Sequence, residues 1–249
     1  MRKLFIIIPS GLFLTLTVVT LMFVSRSPDL GRLADVSQVL RGDGQEIINL
    51  RLSRSGHWRE PAKLERIDPQ LIKMLIAYED KRFWQHYGVD PLAVMRAAIS
   101  LAKSGKIKSG ASTLTMQTVK LMHPELRKRS FKNKLSQMAE AIRLEAHWSK
   151  EEILEAYFTL APYGGNIEGI EAATEAWFQK SPSQLTFTEA ALLVALPQSP
   201  ERRRPDLFPD AAFEAKSKVL EVIKDRIGLD PKQLQELKKE PLPVRLSKT

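Results

Sequence analysis

One acid in the stretch Ile76-Ala77-Tyr78-Glu79-Asp80-Lys81-Arg82-Phe83-Trp84-Gln85-His86-Tyr87-Gly88-Val89-Asp90 has the setting of a proton acceptor. Asp68 and Pro69 have the types of a helix N-cap and first helical residue, and Leu71, Ile72, Leu75 and Ile76 then recur on one stripe. Glu79 is the next member of that stripe, with Phe83 and His86 following on the same side. A carboxylate on such a face loses hydration, and a carboxyl group in that state is a better base near neutrality than a solvated one. The plain alternative is an ion pair from Glu79 to Arg82 one turn later, worth about 0.2–0.5 kcal/mol. Asp80 points elsewhere, because adjacent helical residues do not share a face. It reads as a cap, an ion-pair partner or a support, and not as half of a close carboxylate dyad.

A second constellation follows Gly110-Ala111-Ser112. On the next helix Thr113, Gln117 and Lys120 share a polar stripe, while Leu114, Thr118 and Leu121 line another face. A polar stripe usually meets only water. Small residues before a helix, however, let a phosphate or pyrophosphate approach its first backbone N–H groups, where the helix dipole favours an anion. This is not a Walker loop, since no Gly-Lys-Ser/Thr follows at the required spacing.

The elements that must hold these residues read as successive helices. Asp90-Pro91 should open a helix ending near Ser104-Gly105, followed by a basic loop from Lys103 to Lys108. Ser130 to His147 should form a long amphipathic helix with Phe131, Leu135, Met138 and Ile142 toward the core and Arg127, Lys128, Arg129, Lys132 and Lys134 around its start. Ser149-Lys150-Glu151-Glu152 and Thr186-Phe187-Thr188-Glu189 are capping boxes. Between them lie a tight loop over Ala161 to Asn166 and a helix over Ile167 to Phe178. Pro197 stops the helix begun at Phe187. Val36–Leu40 and Ile47–Leu52, separated by Arg41-Gly42-Asp43-Gly44, read as a small hairpin. His57 and Trp58 lie in a polar loop with no evident partners.

The 249 residues are 43% hydrophobic, enough for one large domain or two small lobes, and 38 basic against 29 acidic residues give a formal charge of +9. That surplus suits nucleic acid, acidic lipid headgroups or a pyrophosphate-bearing substrate. The N-terminus narrows the choice. After Met-Arg-Lys, Leu4 to Val24 carries no charge and matches a helix crossing roughly 30 Å of hydrocarbon. Arg2 and Lys3 favour a cytoplasmic N-terminus, so the rest should lie on the outer face of the membrane. A cleaved signal peptide competes, but Val24-Ser25-Arg26 is a poor cleavage site. Nucleic acid is not expected as a partner. With no cysteine, disulfides, thiolate metal sites and thiol nucleophiles are excluded. The expected division is a cytoplasmic tip and anchor over 1–26, a linker with short strands over 27–63, the main domain over 64–204 and a helical linker or tail over 205–249.

Three stretches carry a family resemblance: Glu79 to Asp90, Gly110-Ala111-Ser112-Thr113-Leu114-Thr115-Met116-Gln117, and Ser149 to Tyr157. In order and spacing the chain resembles the peptidoglycan glycosyltransferases of glycosyltransferase family 51. It is most similar to the N-terminal part of class A penicillin-binding proteins of the 1C type. The resemblance implies a mainly α, lysozyme-like two-lobed domain that polymerises lipid II into a growing glycan strand. It would be anchored by a single span in the cytoplasmic membrane, with its catalytic face periplasmic or extracellular and other cell-wall synthesis proteins as partners. Glu79 would deprotonate the acceptor 4-hydroxyl, which attacks C1 of the donor with inversion. Asp80, Phe83, His86, Ser112, Thr113, Gln117, Lys120 and Lys134 match supporting and substrate-binding positions.

Two departures stand out. Ala111 replaces the second glycine of the family's Gly-Gly-Ser-Thr, and Gln137 occupies the position of a second catalytic Glu. Gln137 neither protonates nor binds metal as a carboxylate does, so assistance to the leaving group would fall on Lys120, Lys134 and a divalent cation, Mg2+ or Mn2+. A glutamine here is usual in the 1C type. Ser100-Leu101-Ala102-Lys103 is the only Ser-x-x-Lys and there is no Lys-Thr-Gly, so no transpeptidase site is read. The competing readings are a lysozyme-like lytic enzyme and a catalytically weakened scaffold that binds lipid II.

Overall fold

Asp68 and Pro69 open a helix as their types predict: the Asp68 carboxylate accepts from the backbone N–H of Gln70, and the helix, α2, spans Pro69–Glu79. The computed structural model describes residues 22–44, 46–104 and 112–242, and it is mainly helical. Almost all of the span expected over Leu4–Val24, together with Gly110, Ala111 and most of the basic loop, lies outside the described residues. Among the described residues no helix is long and apolar enough to cross a membrane.

The order begins with a single turn, α1 (Gly31–Ala34), and the hairpin β1 (Gln38–Arg41) and β2 (Ile47–Arg51), paired antiparallel with Val39 opposite Leu50. After α2 come α3 (Pro91–Ser104), α4 (Leu114–Met122), α5 (Phe131–His147) and α6 (Lys150–Leu160). A short antiparallel pair, β3 (Pro162–Gly164) and β4 (Ile167–Glu168), stands where a loop and the start of a helix were expected. The helix begins only at α7 (Ile170–Phe178), because the backbone of Trp58 pairs with Asn166 and Glu168 and holds that segment extended. Last come α8 (Phe187–Ala195), α9 (Pro209–Ile227) and α10 (Pro231–Lys239). Both expected capping boxes form, at Ser149/Glu152 and Thr186/Glu189.

One apolar core joins these helices. α8 is buried from Thr188 to Ala195, as expected of a helix that is apolar all round. Against it pack Leu71, Met74 and Leu75 of α2 and Val219, Leu220 and Ile223 of α9, while Leu114, Met116, Ile153 and Phe158 extend the same core. The boundary expected at Arg204 is therefore not a boundary in packing. The linker too is docked on the body. Arg59 is fully buried and its Nε donates to Glu168 at 2.9 Å, with Arg32 bonding the same carboxylate. Trp58, which had no evident partner, is buried and donates from Nε1 to Glu60.

The long helix α5 corrects the sequence reading. Of the expected core stripe Met138 packs against the core, whereas Phe131, Leu135 and Ile142 are exposed, and the buried residues are Gln137, Ala141 and Leu144. α5 packs through the neighbouring stripe, so its richest apolar face looks outward.

Candidate active site

α2 ends at Glu79, where the Asp80 backbone N–H closes the last turn on Ile76. Arg82 consequently does not stand one turn beyond Glu79. It turns to Asp90, with Nε 3.0 Å from Oδ2, and Asp90 also accepts from the backbone N–H groups of Leu92 and Ala93 at the start of α3. Burial works to raise the Asp90 carboxyl pKa, but Arg82 and the backbone donors hold it below its ordinary value. This ion pair leaves Glu79 to other partners, which disposes of the surface-pair alternative.

Those partners are two carboxamides. Gln117 Nε2 donates to Glu79 Oε2 at 2.9 Å, and Gln198 Nε2 donates to Oε1 at 2.8 Å. Glu79 is half-buried rather than dry. Phe83 and His86 do not continue its stripe, since the helix has ended. Phe83 is fully buried with the Lys150 ammonium 4.5 Å from its ring centroid, so it supports the segment after Glu79 from beneath. His86 is also buried. Its Nε2 donates to Asp80 Oδ2 at 2.9 Å, while its Nδ1 has no partner.

Asp80 joins the Glu79 segment to α4, because the same Oδ2 accepts from the Leu114 backbone N–H at 2.9 Å. Thr113 caps α4, accepting from Met116 N, and donates from Oγ1 to the Gly88 carbonyl at 2.6 Å. The backbone N–H of Gln117 is bonded to Thr113 O. At the start of α4, expected to offer backbone donors to an anion, the N–H groups of Leu114, Met116 and Gln117 are thus already bonded within the protein.

Lys120 is half-buried, and burial lowers its pKa against the opposing charge of Glu79, with Arg127 lowering it further. Lys134 is lowered by burial and then by Lys120, and its Nζ donates to Ser112 Oγ. Lys134 lies near enough to Lys120 to feel its charge, but of the two only Lys120 lines the grooves described below. Gln137 lines neither groove described below. It is buried, and its Nε2 donates to the Leu126 carbonyl at 2.7 Å, which holds the turn Pro124–Arg127 that carries Arg127.

Two grooves meet at these residues. The larger, about 790 Å3, is lined by Tyr78, Glu79, Asp80, Ser112 and Thr113, with Lys218 and Arg226 of α9 on its far wall. The smaller, about 260 Å3, is lined by Leu121, Arg127, Tyr157 and Pro162. Gln117, Lys120 and Pro197 line both. Burial, and then the charge of Glu79, raises the Tyr157 pKa well above its ordinary value, so this phenol stays neutral. Among the described residues no group of three or more His, Cys, Asp or Glu side chains is placed to hold a metal. Glu79 and Asp80 already carry hydrogen bonds within the protein.

Sequence reasoning missed Gln198 and Arg203. They lie on the turns Leu196–Gln198 and Glu201–Arg203 after α8, where no periodicity marks a face. The Pro197 that ends the helix was the one available signal.

Glu79 thus lines the larger groove and is hydrogen-bonded to Gln117, which lines both, with Lys120 beside it. The transglycosylase family profile matches residues 43–224, and the chain belongs to that family. It is 44% identical to penicillin-binding protein 1C of Escherichia coli over 187 residues, 75% of this chain and 24% of the relative. It is 34% identical to penicillin-binding protein 1A of Aquifex aeolicus over 182 residues, 73% of this chain and 25% of that one. The chain therefore spans about a quarter of the length of the curated relatives it matches. The crystal structure of penicillin-binding protein 1A from Haemophilus influenzae aligns with 86% of this chain and 22% of its own at 18% identity, with a TM-score of 0.47, and the family assignment does not rest on it.

Proposed function

We propose that this chain is a peptidoglycan glycosyltransferase that polymerises lipid II, with Glu79 as the base. The supporting observation is that Glu79 lines the larger groove and is held by Gln117, one of the three residues through which that groove meets the smaller one. A transferase joining two large substrates needs two subsites that meet at the reacting atoms. Glu79 takes the proton of the acceptor 4-hydroxyl. The hydroxyl oxygen then forms a bond to donor C1 from the face opposite the leaving group, and the bond from C1 to the pyrophosphate oxygen breaks. The lipid pyrophosphate leaves with the electron pair, and Lys120 and Lys134 offset its charge in a half-buried setting where each cation counts for more than in water. A divalent cation, Mg2+ or Mn2+, would add to the charge that Lys120 and Lys134 set against the pyrophosphate.

The exposed apolar residues support a membrane-facing reading. α3 presents Leu92, Met95, Ile99 and Leu101, and α5 presents Phe131, Leu135 and Ile142. We read these faces as dipping into the outer leaflet, beside lipid-linked substrates and an N-terminal anchor, and the helices flanking the grooves as the two lobes of a lysozyme-like domain. Incubation with purified lipid II tests the proposal. The expected product is a glycan polymer that muramidase digests; release of muropeptides from sacculi without polymerisation would identify a lytic enzyme instead.

A further inference from the structure

The geometry points to Gln198 as a positioning residue for the base, with Arg203 as the group that orients it. Gln198 sits on the Leu196–Gln198 turn, 119 positions from Glu79 in sequence, yet its Nε2 donates to Glu79 Oε1 at 2.8 Å. Its other end is fixed as well. Arg203 Nη1 lies 3.2 Å from Gln198 Oε1, and the Tyr78 hydroxyl lies 3.5 Å from the same oxygen. A guanidinium only donates, so the carbonyl oxygen of the amide must face Arg203. The reversed amide would set NH2 against a cation and oxygen against the carboxylate. Arg203 therefore selects the one orientation in which Gln198 donates to Glu79. Arg203 is itself held, since the same Nη1 donates to the Ala195 carbonyl at 2.6 Å where α8 ends.

The consequence is specific to a base. Glu79 stands at the last residue of α2, followed by a chain that leaves the helical path, and one donor would hold only one of its oxygens. With Gln117 on Oε2 and Gln198 on Oε1, the carboxylate plane is fixed between α4 and the end of α8. A neutral amide interposed between Arg203 and Glu79 gives this orientation without a direct ion pair. Misplacement of a reacting group by about 1 Å costs about 100-fold in rate. The role of Gln198 is thus to keep Glu79 aimed at the acceptor hydroxyl.

This inference rests on the assignment of Glu79 as base, and the test separates the two. Steady-state polymerisation of lipid II is measured for the wild-type chain and for Glu79→Gln, Gln198→Leu, Gln198→Glu, Arg203→Leu and the Gln198→Leu/Arg203→Leu pair. Gln198 is exposed on a short turn, so its variants should fold, which thermal melting verifies. For Gln198→Leu the expected result is a kcat lower by about 10- to 100-fold with KM changed less than about threefold. Gln198→Glu keeps the shape but sets a carboxylate against Glu79, and should lose at least as much. Arg203→Leu should lower kcat in the same direction and add little in the pair, as members of one network do. A wild-type kcat in folded Gln198→Leu, a loss carried by KM, or independent multiplying losses in the pair would overturn the positioning role. Failure of the wild-type chain to polymerise lipid II, or full activity of Glu79→Gln, would overturn the base assignment instead.

Discussion

Glu79 is fixed by two neutral amides, whereas Asp90, eleven positions on, is fixed by a guanidinium. The two carboxylates are thus oriented by different chemistry, one by neutral donors and one by an ion pair. Lys120 and Lys134, to which we assign the charge of the leaving pyrophosphate, are both pushed down in pKa mainly by burial. The sign of the pH dependence follows. Between the depressed values and the ordinary lysine range, the folded protein binds fewer protons on these groups than the unfolded chain, so they add stability as pH rises through that window. Anion binding favours the charged forms, so their contribution to affinity falls over the same window. The affinity gap between the wild type and Lys120→Met for inorganic pyrophosphate should accordingly shrink as pH rises, beginning below the ordinary lysine range. Titration calorimetry across alkaline pH measures it, and a gap that stays constant until the ordinary lysine range would contradict the buried setting of Lys120. Glu79 was legible because a carboxylate continuing an apolar stripe is anomalous. Gln198 was not, because its partner is distant in sequence and its turn has no periodic pattern.

The elements show where local rules succeed. Asp68-Pro69 and the boxes at Ser149 and Thr186 start helices where their side chains satisfy the first N–H groups, and such signals depend only on near neighbours. Two readings failed for a shared reason. α5 was assigned its most apolar stripe as core, and the start of α4 was assigned free N–H donors. What decides each is a neighbouring element, namely the surfaces beside α5 and the Asp80 carboxylate over α4. Gly88 sits at the second of these joints. Its φ is 68°, its carbonyl accepts from Thr113, and a Cβ there would lie 2.6 Å from the Ala141 backbone. Gly88→Ala combines a left-handed conformation, costing about 1–2 kcal/mol, with a collision against helix backbone that no side chain can relieve. The expected loss is at least about 2 kcal/mol in denaturant unfolding, with weakened activity as the Glu79 segment and α4 part. An alanine variant of wild-type stability would show that the joint is not tight.

Over the whole molecule, the family and its main body were legible from three motifs, while the boundaries were not. Boundaries were drawn where composition changes, but packing does not follow composition: α9 enters the same core as α2 and lines the larger groove, and Arg59 anchors the linker to Glu168. The outward apolar residues of α3 and α5 give the molecule a direction. Replacing Phe131 and Leu135 with Glu, on a face that leaves the core untouched, should reduce binding to vesicles containing anionic lipid and slow turnover of membrane-embedded lipid II. Thermal stability should stay within about 0.5 kcal/mol of wild type, as expected of surface changes. Sedimentation with vesicles measures the binding, and unchanged partition would remove the membrane-facing assignment.

We assign deprotonation of the acceptor to one amide-held carboxylate beside the residues that two grooves share. Single-turnover transfer from lipid II by the wild-type chain and by Glu79→Gln tests it most directly, since the substitution keeps the size of the side chain and removes the base. The account expects transfer to fall by about 100- to 10,000-fold with donor binding retained. Transfer at the wild-type rate in Glu79→Gln would contradict it.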